Sequence, residues 1–128
     1  MKENIEKILT KLKETLLAQT EDVIEINFKS FTIPILILND LKSETYEICL
    51  SCKHLPNYQY RFLFYQIDSQ HDIIYMNIDE TIAKQIGNEK TLKVVCTIKD
   101  FEEEMKKIMN SEKMNNVIQT LLESKSTI

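Results

Sequence analysis

The ten-residue stretch 58–67 constrains the fold of this chain more than any other segment. It contains five of the ten aromatic residues of the sequence. In an extended strand, alternate side chains point to opposite faces, so both faces of this stretch would be apolar. The two predicted sets are Tyr60, Phe62 and Phe64 on one face, and Leu63, Tyr65 and Ile67 on the other. Such a strand belongs in the middle of a sheet, covered on each side.

Further strands are predicted on both sides of this segment. Alternation of apolar and polar residues indicates the strands 23–31, 45–54 and 92–98, and the run 33–38 is apolar throughout. The polar clusters at 39–43, 55–57 and 68–72 indicate turns, the last of which leads into the strand 73–78. Because Pro34 cannot donate a ladder hydrogen bond, we place it at the start of a strand or on a sheet edge. The predicted strands are 23–31, 33–38, 45–54, 73–78 and 92–98.

Helices are predicted at both ends of the chain and between the last two strands. Residues 2–19 carry one apolar stripe, Ile5, Ile8, Leu9, Leu12 and Leu16. Asp79 is a good N-cap for a helix over 80–86, and Gly87, the one glycine of the chain, suits a left-handed residue after it. Asp100 begins a capping-box pattern, and Ser111 could cap a second C-terminal helix. We expect residues 124–128 to fray.

These elements predict one α+β domain over residues 1–128. Their order is α-β-β-β-β-β-α-β-α, with a mainly antiparallel sheet of five to six strands flanked by the N- and C-terminal helices. The helices could cover one sheet face together, or each could cover a different face. If they share one face, the other would expose apolar side chains, which usually mark a dimer or partner interface.

Charge and composition exclude several classes of function. The net charge is −4, and the chain contains 16 basic residues, of which Arg61 is the one arginine. Nucleic-acid readers concentrate positive charge and use arginine, so we expect no direct DNA or RNA binding. A protein that mimics DNA with carboxylates would need a larger acidic excess. One glycine also leaves no room for a glycine-rich phosphate loop.

Hydropathy and cysteine use predict a cytoplasmic protein. No window holds the roughly 20 apolar residues of a membrane span, and the N-terminus lacks the pattern of a signal peptide. Three cysteines without disulfide spacing fit a reducing compartment. The heavy use of Lys, Ile and Asn is typical of AT-rich genomes, as in many bacteria and their phages.

Cys49, Cys52 and His54 form a Cys-x-x-Cys-x-His pattern, which could in principle bind zinc or support thiol redox chemistry. Zinc ligands at this spacing normally occupy a tight turn. Here the two cysteines fall in a predicted strand, at positions that face opposite ways. We therefore interpret them as structural, and we predict no metal and no cofactor.

Four side chains of the aromatic strand are candidates for binding a partner or ligand: Tyr58, Tyr60, Arg61 and Tyr65. Alternation places Arg61 on the face of Leu63 and Tyr65, where its guanidinium could bind an anion or a carboxylate. The alternative is a structural ion pair with Glu47 or another acid. The C-terminal methionines Met105, Met109 and Met114 could form a groove, although their helical spacing favours core packing. Catalytic residues are not identifiable.

The sequence favours a protein-binding module that covers a partner's surface, such as an inhibitor, an immunity protein or a chaperone. Its length, acidity and helix-flanked sheet resemble those of small bacterial immunity proteins and secretion chaperones. Acidic charge would favour a partner with a basic surface. Two alternatives remain open: a structural or regulatory homodimer, and a small-ligand sensor or enzyme with a pocket bounded by Tyr60, Arg61 and Tyr65.

Overall fold

A computed structural model of the chain describes residues 2–31, 44–68 and 70–124. The helices are α1 (Lys2–Gln19), α2 (Glu80–Gln85), α3 (Ile98–Met109) and α4 (Glu112–Glu123). The strands are β1 (Ile24–Phe31), β2 (Glu44–Cys52), β3 (Leu55–Asp68), β4 (Ile73–Ile78) and β5 (Leu92–Val95). They form one open antiparallel sheet in the order β1-β2-β3-β4-β5. The predicted α+β class and the central place of the aromatic strand are confirmed.

The four described helices pack on the same face of the sheet, which we call the inner face. Apolar residues from each helix join one buried cluster with alternate residues of the strands, for example Ile5 of α1, Phe101 of α3 and Met76 of β4. Alternation along the strands then assigns the intervening residues to the opposite, outer face. The open question about helix placement is therefore answered in favour of one shared face.

A β-bulge in β3 changes the faces that simple alternation predicts. Ile48 lies opposite Leu63, whereas Cys49 lies opposite Arg61, so Phe62 is an extra residue between the two pairs. In a bulge two residues of one strand oppose one residue of its partner. As a result, Tyr60, Phe62, Leu63 and Tyr65 all contact the inner-face cluster, and Arg61 lies on the outer face. The prediction that Arg61 shares a face with Leu63 and Tyr65 was wrong.

The connection between β2 and β3 is tighter than predicted. Lys53 and His54 form the turn, and Leu55 is already paired with Cys52. Residues 55–57, predicted as a turn, are therefore part of β3. The register is irregular there, because Cys52 pairs with Leu55 but Ser51 pairs with Gln59, so β3 has extra residues between these two pairs. Leu55, at the start of β3, is exposed.

Two of the predicted helix caps are confirmed. The Asp79 side chain accepts hydrogen bonds from the backbone N–H groups of Thr81 and Ile82 at the start of α2. Ser111 accepts one from the Met114 N–H at the start of α4. Gly87 has a φ of 90°, which confirms the left-handed position expected there.

The start of α3 differs from the prediction. Thr97 is the N-cap and accepts a hydrogen bond from the N–H of Asp100, which lies inside the first turn. The preceding strand ends at Val95 instead of continuing to residue 98. Within β5, Val95 is the buried residue, whereas Leu92 and Val94 are exposed. Both Thr97 and Asp100 are good N-cap residues, which explains why the pattern placed the boundary three residues too late.

Some predictions lie outside the described residues: the strand 33–38, the turn 39–43 and the fraying of residues 125–128. Ser124, by contrast, is the C-cap of α4 and donates a hydrogen bond to the Leu121 carbonyl oxygen at 2.6 Å. Among the described residues, no helix has both the length and the apolar character needed to cross a bilayer.

Candidate functional site

The four candidate residues of β3 do not form one site. Tyr65 is 1% exposed. Its ring stacks on Tyr46 with centroids 4.9 Å apart and meets the edge of Phe101 at 5.7 Å. Tyr65 is thus a core residue. Because Arg61 lies on the outer face, the pocket predicted between Tyr60, Arg61 and Tyr65 does not exist in this arrangement.

Tyr60 belongs to a polar cluster that joins three elements. Its phenol donates a hydrogen bond to Asp79 Oδ2 at 2.8 Å, and Lys113 Nζ donates to the same oxygen at 2.7 Å. The Lys113 ammonium also lies 5.1 Å from the centroid of the Tyr60 ring, which is within cation–π range. The carboxylate of an N-cap residue therefore ties β3 to the starts of α2 and α4.

The electrostatics of this cluster follow from burial and pairing. The pKa of Tyr60 is raised, mainly by burial. The hydrogen bond to the Asp79 carboxylate and the negative charge of that carboxylate raise it further. Burial alone would raise the pKa of Asp79, but the hydrogen bonds from Lys113 and Tyr60 outweigh it and hold this pKa below its usual value. At neutral pH the cluster thus contains a neutral phenol, a carboxylate and an ammonium ion. Its role is structural, because it links β3 to α2 and α4.

Tyr58 lies beside a shallow groove between the start of β3 and one side of α4. The groove has a volume of about 320 Å³. Burial raises the pKa of the Tyr58 phenol. The groove is lined by Leu55, Tyr58, Lys113, Asn116, Val117, Thr120, Leu121 and Ser124. It is one place where Tyr58 could contact another molecule, and it lies on the inner side of the sheet, away from Arg61.

Arg61 pairs with Glu47 on the outer face, as the structural alternative from the sequence suggested. The Arg61 Nε atom contacts Glu47 Oε1, and Lys29 Nζ lies 3.6 Å from Glu47 Oε2. The Glu47 side chain is 1% exposed, whereas that of Arg61 is 55% exposed. Two cations thus compensate a buried carboxylate, and the open side of the guanidinium still faces solvent.

The three metal candidates are separated by the strand geometry. Cys52 lies opposite Ile24 on the inner face, and Cys49 lies opposite Asn27 on the outer face. Burial, reinforced by the Glu47 charge, raises the pKa of the Cys49 thiol, which keeps it protonated. His54 occupies the turn after β2. Across the ranges that the structure describes, no group of three His, Cys, Asp or Glu side chains could hold a metal ion.

The C-terminal methionines divide between core and cleft. Met105 and Met114 are fully buried, as expected for helical packing. Met109 instead lines a cleft of about 330 Å³ between α1 and the α3–α4 pair, together with Leu12, Ile118 and Leu122. The cleft has a mixed lining, because polar groups such as Gln19 and Asn115 also border it.

The surface that sequence reasoning missed is an apolar strip on the outer face, formed by Phe64, Tyr75, Leu92 and Val94. Register places Val94 opposite Tyr75, and Leu92 and Phe64 on either side of Asn77. Phe64 and Tyr75 are half-buried, whereas Leu92 and Val94 are 44% and 46% exposed. The signal for it was the alternation of Leu92 and Val94, which is equally typical of a core-facing strand.

The fold and these surfaces define an α+β protein with an N-terminal helix, a five-stranded open antiparallel sheet and C-terminal helices. Comparison with protein-family models, with curated proteins and with solved structures finds no match for this chain.

Proposed function

We propose that this chain is a non-enzymatic protein-binding module that covers part of a partner's surface, as small inhibitors, immunity proteins and dedicated chaperones do. The observation that carries the proposal is the exposed part of the outer-face strip, where Leu92 and Val94 are 44% and 46% exposed and the half-buried ring of Tyr75 lies opposite Val94. The described helices all cover the other face. Exposed apolar side chains that adjoin across neighbouring strands are typical of interaction sites.

The composition of the strip supports this function. Aromatic residues are enriched in the cores of protein interfaces, where they bury a large area at a small cost in side-chain entropy. Tyr75 supplies aromatic area, while Leu92 and Val94 are the most exposed large apolar side chains among the residues that the structure describes. Arg61 lies on the same face and could supply a polar contact through its exposed guanidinium edge.

Long-range charge sets the kind of partner. The net charge of −4 favours encounter with a protein that carries net positive charge, and this steering weakens as salt rises. A basic partner protein is therefore part of the proposal. The same steering disfavours encounter between two copies of this acidic chain.

The test is a comparison of complexes captured from the protein's own cell extract. Tagged wild-type protein and the double variant Leu92→Ser/Val94→Ser would be recovered in parallel, and native mass spectrometry would measure the stoichiometry of each complex. We expect a partner in fixed ratio with the wild type, and at least about tenfold less with the double variant.

Leu55→Ser is the matched control, because Leu55 is also an exposed apolar residue, at 38% exposure, but lies at the Tyr58 groove. We expect this variant to capture as much partner as the wild type. Loss of the partner with Leu55→Ser, and not with the double variant, would move the site to that groove. A homodimer that the double variant dissociates would instead support self-association.

A further inference from the structure

The hydrogen-bonding pattern of β5 determines which of its backbone groups face away from the sheet. The Ile78 N–H donates to the Thr91 carbonyl oxygen at 2.9 Å, so these two opposed residues form a hydrogen-bonded pair. In antiparallel strands bonded and non-bonded pairs alternate. Lys93 therefore bonds to β4, whereas Leu92 and Val94 belong to non-bonded pairs. Their N–H and C=O groups point to the open edge.

The other side of β4 agrees with this assignment. The Asp79 N–H donates to the Phe62 carbonyl oxygen at 2.9 Å, which makes that pair a hydrogen-bonded one. The same alternation then directs the backbone groups of Tyr75 and Asn77 toward β3. Tyr75 lies opposite Val94, and Asn77 lies opposite Leu92. Because the backbone groups of Tyr75 and Asn77 point to β3, those of Leu92 and Val94 have no partner in β4.

The two edges of the described sheet differ in character. The edge strand β1 carries Glu25, Asn27 and Lys29 on its outer face, and charged edges of this kind resist the addition of a further strand. The edge strand β5 presents Leu92 and Val94 there instead. Its apolar side chains and its free backbone groups therefore occur at the same two residues.

We propose that the partner binds by adding an extended strand to the open edge of β5. Backbone hydrogen bonds would form with Leu92 and Val94, and apolar side chains of the added strand would extend the outer-face strip. Lys93 points to the inner side of the sheet, opposite Met76. The added strand thus carries a carboxylate beside Lys93 on the inner side of the sheet, and the residues before and after that carboxylate are apolar and face the outer side. This inference rests on the proposed function and specifies how the partner is held.

A second copy of this chain fits the edge poorly. The antiparallel register that pairs the outward backbone groups of both Leu92 and Val94 in each copy places Leu92 opposite Val94 of the second copy. In that register Lys93 lies directly opposite its own counterpart, and like charges in opposed positions destabilise a sheet. Charge thus favours a different chain with an acidic residue at this position.

The probe is a fluorescent ten-residue peptide in which valine alternates with charged residues, a glutamate at the centre to meet Lys93 and lysines on either side of it, so that its net charge is positive. It is compared with a scrambled peptide of the same composition. Fluorescence anisotropy would measure its binding to the full chain. Val94→Pro removes an N–H group that β4 does not use, and the extended backbone before it suits proline. Val94→Thr is the matched control, because it keeps the N–H group and the branched shape.

We expect wild-type protein to bind the alternating peptide in preference to the scrambled one. Val94→Pro should weaken binding by about tenfold or more, because a hydrogen bond is lost and the ring blocks close approach. Val94→Thr should weaken it by no more than about threefold. Equal binding by the proline variant, with its fold confirmed by circular dichroism, would overturn the inference, as would absence of preference between the peptides.

A second measurement avoids any dependence on the folding of the proline variant. Saturating peptide should slow amide hydrogen exchange at Leu92 and Val94 of the wild-type protein, and unchanged exchange at both would overturn strand addition. Failure of strand addition can be distinguished from failure of the proposed function. If Leu92→Ser/Val94→Ser loses the captured partner but Val94→Pro retains it, the binding surface stands and the strand mode falls.

Discussion

The Tyr60 phenol donates a hydrogen bond of 2.8 Å to Asp79 Oδ2, while Asp79 Oδ1 accepts from the first backbone N–H groups of α2. Lys113 of α4 donates to the same Oδ2 atom. One carboxylate therefore satisfies groups from a strand and two helices. Because these partners come from distant parts of the chain, Asp79 contributes to tertiary packing as well as to capping a short helix.

Substitution of Asp79 by alanine should destabilise the fold by about 3 kcal/mol, from the lost N-cap and the lost charge-assisted hydrogen bonds. Urea unfolding followed by circular dichroism would measure this change. Glu80→Ala is the matched control, because Glu80 is exposed and pairs with Lys84 on the helix surface. It should cost about 0.5 kcal/mol or less. Equal losses in the two variants would show that the cluster has no structural role.

The contribution of Asp79 should disappear at acidic pH. Its folded-state pKa lies below the usual value, so its stabilisation is complete above the unfolded-state pKa of about 3.9 and is lost as pH falls through the folded-state pKa. The difference in unfolding free energy between wild type and Asp79→Asn should therefore be constant above about pH 5 and shrink below about pH 4. A difference that grows with acid would contradict the assignment.

Two tyrosines on opposite faces of the sheet should differ sharply in their effect on stability. Tyr65→Ala removes a ring that stacks on Tyr46 and contacts Phe101, so it should cost about 3–5 kcal/mol. Tyr75→Ala removes a half-buried ring of the outer-face strip and should cost about 1 kcal/mol or less. Chemical denaturation of both variants tests the assignment of faces, and a reversed order would refute it.

The buried carboxylate of Glu47 should make Arg61 a structural residue as well as a surface one. Arg61→Met leaves that carboxylate with Lys29 at 3.6 Å and should cost about 2 kcal/mol, because a desolvated charge loses its nearest partner. Addition of Glu47→Leu should recover part of this loss. The unfolding free energies of the single and double variants test the coupling, and strictly additive losses would argue against it.

Local patterns predicted those parts of the fold that depend on neighbours in the sequence. Period-two alternation identified β1 and β2, the polar turn 68–72 marked the start of β4, and capping residues identified α2 and α4, because all these signals act over a few residues. The bulge at Phe62 left no such signal, since an extra residue changes the facing of a strand without changing its composition. That one residue moved Arg61 to the outer face and separated it from Tyr65.

The candidate surface was less predictable than the fold. Leu92 and Val94 look like core residues in a strand, but the register with β4 places them on the outer face and places Val95 on the inner face. Phe64 and Tyr75 join them through cross-strand register, which depends on turns and bulges elsewhere. The partners of Asp79 likewise come from β3 and α4, so no local motif marks that cluster.

Amide hydrogen exchange of residues 92–95 in the free protein tests the central claim most directly, because that claim requires β5 to be an open edge. We predict fast exchange at Leu92 and Val94, whose N–H groups point away from β4, and slow exchange at Lys93 and Val95, whose N–H groups bond to it. Slow exchange at all four residues would show that the edge is already covered, and it would contradict a binding surface there.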